Sequence, residues 1–254
     1  MNTRKAQLEA FNRLLDIMDE LREKCPWDRK QTNESLRTLS IEEIYELSDA
    51  IIENDSDEIK KELGDVFLHL VFYSKIASEQ GQFDVADVLN SICDKLIHRH
   101  PHIYGEVQAD TEEKVLQNWE KLKLKEGNKS VLSGVPSSLP AMVKAYRIQD
   151  KVKGVGFEFE NSEQVFEKIQ EEIIEFKNEP NPIDKEMEFG DILFSLINYG
   201  RFVGINADDA LEKSNKKFIK RFQILEEIAQ EKGLILGEMT LNQLDDLWNL
   251  AKIR

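Results

Sequence analysis

The chain of 254 residues carries 34 Lys and Arg against 49 Asp and Glu, a formal net charge of −15. That balance excludes a protein that grips a phosphate backbone with its whole surface, and a hydrophobic share of 41% excludes wholesale disorder. With only 12 Gly and 6 Pro, the chain is too poor in turn formers for a many-stranded sandwich and reads as long helices.

Helical periodicity opens the chain: Leu8, Phe11, Leu14, Leu15, Met18 and Leu21 recur at spacings of three and four until Pro26. Ser40 and Glu43 have the spacing of a capping box, which predicts a helix from there to about Glu53. Asp55 and Glu58 repeat the signal for a helix to about Gln80, with Gly81 beyond its end. Asp84 is a cap for a helix to about Ile97, and the HRHPH run breaks at Pro101. Asp110 and Glu113 open another helix, ending near Gly127. Residues 128–139, rich in Ser, Gly and Pro, read as a linker. Helical pattern resumes at Pro140, and 154–161 is the one strand-like fragment. Helices follow near 162–178, 183–203, 207–232 and 241–253, with Asn206 and Thr240 as caps.

An internal repeat organises the chain. IEEIYELSDAII (41–52) pairs with QEEIIEFKNEP (170–180), and ELGDVFLHLVFY (62–73) with EFGDILFSLINY (188–199). CDKLIHRH (93–100) pairs with NKKFIKRF (215–222), and Trp119 with Trp248. The offsets of 129, 126, 122 and 129 residues are those of a duplicated domain rather than a solenoid. The expected organisation is an N-terminal domain at 1–127, a linker at 128–139 and a C-terminal domain at 140–254.

Each half places two acidic motifs on consecutive helices: Glu42, Glu43 and Glu46, then Glu62 and Asp65; and Glu171, Glu172 and Glu175, then Glu188 and Asp191. Residues three apart share a helix face, so Glu43 with Glu46 and Glu62 with Asp65 form two stripes, and packing the helices together makes four carboxylates converge. Such a cluster is tolerable around a hard dication, and oxygen-only ligands suit Mg²⁺ or Mn²⁺. A single ExxE is more often solvated helix surface; the doubled, repeated pattern favours metal. Asp65 and Asp191 open apolar runs, and Gly64 and Gly190 before them suggest close helix approach. Lys95 with Arg99, and Lys217 with Arg221, form basic i, i+4 pairs suited to a polyphosphate. Trp119 and Trp248 are candidates to stack on a base.

These motifs resemble the MazG nucleotide pyrophosphohydrolases of the all-α NTP pyrophosphatase superfamily. CPWDRKQT (25–32), HRHPHIYGEV (98–107) and GVPSSLPAMVKAYRIQDKVKGVGFEF (134–159) carry the likeness along nearly the whole chain. The resemblance implies an all-α protein of tandem domains, with four-helix-bundle-like cores completed in a homodimer. It implies Mg²⁺-dependent cleavage of nucleoside triphosphates to monophosphate and pyrophosphate, with the C-terminal half the better-supported catalytic unit. Carried over, Glu172, Glu175, Glu188 and Asp191 match metal ligands, and Lys168, Glu171, Lys217, Arg221 and Trp248 match nucleotide contacts. The acids Glu43, Glu46, Glu62 and Asp65 give the first half a matching set. Met187 departs from the pattern, standing where a second acid often precedes the ExxD glutamate.

The expected mechanism is attack of a metal-activated water on the α-phosphorus, with Glu171 or Glu42 taking the water's proton and Lys217 and Arg221 holding the pyrophosphate. A di-iron bundle is disfavoured because no His follows a Glu at the third position, and HRHPH is a weak zinc candidate. The rival from another class is a non-catalytic nucleotide-sensing module on the same fold. Two cysteines, Cys25 and Cys93, no signal-like N-terminus and no long apolar run fit a cytoplasmic protein with no membrane or nucleic-acid partner.

Overall fold

The computed structural model describes residues 2–107, 111, 114, 115, 118, 119 and 130–254, and it is all-α: no strand occurs among them. The chain divides into two compact units, Met1–Ala109 and Asp110–Arg254. The helix expected from Asp110 to near Gly127 falls largely outside the described residues.

In the first unit α1 (Arg4–Lys24) starts at Thr3, whose side chain accepts the Ala6 N–H. A short 3₁₀ turn (Asp28–Lys30) leads to α2 (Asn33–Glu53). Helix α2 begins earlier than the Ser40–Glu43 spacing suggests. Thr32 is the cap, forming a reciprocal box with Ser35, while Ser40 sits inside the helix and donates to Leu36 O at 2.9 Å. Asn54, with a left-handed φ of 56°, turns the chain, and Asp55 caps α3 (Ser56–Glu79) through Asp57 N and Glu58 N. Helix α4 (Val85–Arg99) is capped by Asp84, and Pro101 opens a one-turn α5 (Pro101–Tyr104).

Helices α1, α2 and α3 enclose a core of Met18, Leu36, Val71, Phe72 and Ile76. Along α3 one face carries Glu62, His69, Phe72 and Ile76, all buried, with half-buried Asp65 between. The spacing from Glu62 is three, seven, ten and fourteen, so a single stripe runs from acid to apolar core. Burying a phenylalanine such as Phe72 contributes about 2–3 kcal/mol, which fixes the register that carries the acids inward.

In the second unit a 3₁₀ turn (Val131–Gly134) precedes α6 (Ala141–Lys153), with α7 (Ser162–Asn178), α8 (Pro182–Phe202), α9 (Ala207–Glu231) and α10 (Leu241–Ala251) after it. Asn161, Asn181 and Asn206 cap α7, α8 and α9 through their side chains. Residues 154–161 form no strand: Gly156 adopts a left-handed φ of 88°, and alternation without a partner strand has no ladder to join. Leu225, Ile228, Ala229, Leu247 and Ala251 bury the α9–α10 contact, with Trp248 packed against them. Helices α7 and α8 pack together, as α2 and α3 do.

Candidate metal and phosphate site

In the first unit one carboxylate oxygen each from Glu43 on α2 and Glu62 and Asp65 on α3 lies within 4.8 Å of the others. In the second unit Glu172 on α7 and Glu188 and Asp191 on α8 do the same. Both groups are carboxylate-only. Glu62 is 3% exposed and Glu172 6%, so in each unit one acid is held out of water by the helix pairing. Glu62 Oε2 is buried without a hydrogen-bond partner, so this oxygen keeps unsatisfied acceptor capacity that a bound cation would use.

Three acids, rather than four, form each tight group. Glu46 and Glu175 stand outside it but act on it electrostatically. Burial, then Asp65 and Glu46, push the Glu43 carboxyl up from its ordinary value. Burial, then Glu175, Asp191 and Glu172, do the same to Glu188. Like charges in a partly desolvated site raise carboxyl pKa values in this way, and a dication reverses it.

Each group also has a resident ammonium. Lys168 Nζ bonds Glu172 Oε1 at 2.8 Å and Glu171 Oε1 at 3.0 Å. Lys61 Nζ bonds Glu62 Oε1 at 2.8 Å and Glu58 Oε2 at 3.2 Å. These bonds hold both lysines protonated well above the ordinary ammonium range. Lys61 carries no sequence motif; its role emerges only from the buried Glu62 beside it.

A cavity of about 470 Å³ opens against the second unit's acids, with Lys168, Glu172 and Asp191 in its lining. Phe157, Phe159 and Phe194 give it aromatic walls. Gln149 Nε2 donates to Phe194 O at 2.8 Å, leaving Oε1 buried without a partner. Arg201 Nη2 pairs with Glu158 Oε2 at 2.7 Å and donates to Asn198 Oδ1 at 2.8 Å. Gln149, Glu158, Asn198 and Arg201 escape a reading based on acidic spacing, and the AYRIQ and GVGFEF stretches that hold two of them were the available signal.

The other candidates lie elsewhere. Lys217 and Arg221 sit on α9, exposed and half-buried, outside the lining of the cavity. Trp248 is half-buried in the α9–α10 core, its ring 5.0 Å from that of Phe218. Lys95 and Arg99 lie on α4, Trp119 is half-buried, and Glu42 and Glu171 are exposed. Gly64 and Gly190 are not explained by close approach within the chain, since a Cβ at either meets nothing within 4 Å.

One further cluster adjoins the first unit's acids. Ser40 Oγ lies 2.8 Å from His69 Nδ1 and 2.8 Å from Tyr73 Oη, besides its bond to Leu36 O. One proton assignment satisfies all three contacts: a carbonyl only accepts, so the serine proton goes to Leu36, and His69 Nδ1–H and Tyr73 O–H both donate to Oγ.

Among the described residues no helix is long and apolar enough to cross a membrane. Residues 31–104 match the family model described as "MazG nucleotide pyrophosphohydrolase domain". The chain is 43% identical, over 95% of both sequences, to the Thermotoga maritima "Nucleoside triphosphate pyrophosphohydrolase/pyrophosphatase MazG". It is 37% identical to the Escherichia coli K12 "Nucleoside triphosphate pyrophosphohydrolase", over 96% of this chain and 98% of that one. A Bacillus subtilis protein, "Uncharacterized protein YabN", is 43% identical over 98% of this chain but only 53% of its own length.

Proposed function

Because the chain belongs to the MazG family, we propose that it hydrolyses nucleoside triphosphates to nucleoside monophosphate and pyrophosphate, supported by Mg²⁺, with Mn²⁺ as a substitute. The observation that carries this reading is the convergence, in each unit, of three helix-borne carboxylates within 4.8 Å, one of them buried. In the second unit it is joined by a cavity with room for a nucleoside.

Glu172, Glu188 and Asp191 would hold the ion, with Glu175 adjusting their charge; Glu43, Glu62, Asp65 and Glu46 form the corresponding set in the first unit. A hard dication bound there supplies charge neutralisation for the triphosphate and acidifies a bound water. The chain does the rest. The aromatic walls of the cavity accept the nucleoside and exclude water, and Lys168 brings positive charge to the phosphate side. Glu171, exposed beside that lysine, would accept the attacking water's proton. Lys217, Arg221 and Trp248, and in the first unit Lys95, Arg99 and Trp119, stay candidates for nucleotide contacts made when subunits associate.

Exposed apolar side chains support the homodimer: Leu63, Phe67 and Leu70 on α3 and Phe218, Ile219 and Phe222 on α9 face solvent in the single chain. Two tandem domains follow from the sequence repeat, with the Ser-, Gly- and Pro-rich stretch 128–139 as the linker between 1–127 and 140–254, and unpaired Cys25 and Cys93 fit a reducing, cytoplasmic setting. A role in nucleotide-pool housekeeping follows from such an activity. The test is pyrophosphate release from a panel of NTPs and dNTPs with Mg²⁺. Glu172→Gln and Asp191→Asn together with Glu62→Gln and Asp65→Asn should abolish it. Nucleotide binding without turnover in the unaltered protein would instead identify a sensing module.

A further inference from the structure

The two units differ at the residue one turn beyond the second acid. By the 126-residue offset of the repeat, His69 stands where the second unit has Ser195. By the 129-residue offset, Ser40 stands where it has Ile169. The Ser40–His69–Tyr73 cluster therefore belongs to the first unit alone, and the exposed Glu42 is not the only group there able to take a proton.

We propose that His69 is the proton acceptor for the attacking water at the first unit's site, an inference that rests on the hydrolytic reading above. Three observations converge on it. Ser40 fixes the neutral ring as the Nδ1–H tautomer, which leaves the Nε2 lone pair free to accept. No hydrogen bond to Nε2 occurs among the described residues. The ring lies seven residues after Glu62 and four after Asp65, on their face of α3, and a charge on it favours the ionised form of Glu43. His69 is not one of the three convergent groups, but it shares their face of α3 and is near enough to act electrostatically on Glu43, which suits a group that acts on a water rather than on an ion. In the step itself a water O–H bond breaks and the proton passes to Nε2. The water oxygen bonds the α-phosphorus, the bond to the bridging oxygen breaks, and its electron pair leaves with pyrophosphate. The imidazolium then returns its proton to solvent.

The test uses the full chain with the second unit silenced by Glu188→Gln and Asp191→Asn. In that background His69→Asn keeps a donor at the Nδ1 position for Ser40 but removes Nε2. Hydrolysis should lose about 100-fold in kcat, with KM within about twofold and an unchanged thermal midpoint. Nitrogen NMR of the metal-free, otherwise unaltered chain should show the His69 ring protonated at Nδ1 and bare at Nε2. An unchanged kcat, a ring protonated at Nε2, or no hydrolysis in the silenced background would each overturn the role of His69. Failure of the unaltered chain to hydrolyse any triphosphate would overturn the underlying reading instead.

Discussion

Lys168 Nζ bridges Glu172 and Glu171 at 2.8 and 3.0 Å, so the buried acid of the second unit already has a cation before any ion binds. Replacing Lys168 with Met leaves Glu172 buried and unpaired. Because Lys168 is itself over a third exposed, with 37% of its side-chain surface open, screening limits the loss to about 1 kcal/mol. The expected result is a thermal midpoint lower by about 2–4 °C in chelator and largely restored by Mg²⁺. A midpoint that does not move would show that the ammonium does not compensate the acid.

The acid clusters predict a pH dependence with a definite sign. Glu188 is pushed up by burial first and then by Glu175, Asp191 and Glu172, so the folded chain holds that proton more tightly than the unfolded chain. The associated stability is fully present below the ordinary glutamate pKa and is lost as pH rises through the raised value. Glu188→Gln should therefore raise the thermal midpoint of the metal-free protein at pH 7, with the gain vanishing near pH 4. Glu43→Gln should behave likewise, for the same reasons in the first unit. Mg²⁺ should stabilise the unaltered protein more than either variant. A variant less stable than the parent at pH 7 in chelator would contradict the repulsion argument.

Arg201 and Glu158 form an ion pair whose guanidinium side chain is only 5% exposed. Removing one partner of such a pair strands the other, at a cost of about 3 kcal/mol. Arg201→Ala should lower the urea midpoint accordingly and weaken nucleotide binding, since both residues line the cavity. Intact binding with reduced stability would make the pair purely structural.

Gly64 and Gly190 have open space around the position a Cβ would take. In an isolated chain, alanine at either would stabilise its helix by about 1 kcal/mol. If these helix faces meet a second subunit, alanine intrudes there. The proposed homodimer predicts that Gly190→Ala shifts sedimentation toward monomer. A raised thermal midpoint with unchanged mass would exclude close packing at that glycine.

The acid motifs were legible because side-chain spacing on a helix is set locally: Glu43 with Glu62 and Asp65, and Glu172 with Glu188 and Asp191, meet as the period requires. The caps at Asp55, Asp84 and Asn206 were equally local. Ser40 misled because a serine three residues before a glutamate is also an ordinary interior spacing, whereas the working box, Thr32 with Ser35, lacks the acidic partner that marks one. The cavity was hidden for a different reason. Gln149 reaches Phe194 across 45 residues and Glu158 reaches Arg201 across 43, and no local periodicity encodes such partnerships.

The lysines beside the acids have a consequence for how an ion would load. Lys61 and Lys168 act as stand-in counter-ions. Each acidic cluster therefore carries part of its own neutralisation, and an ion arriving there would displace or join an ammonium rather than enter a bare pocket of negative charge.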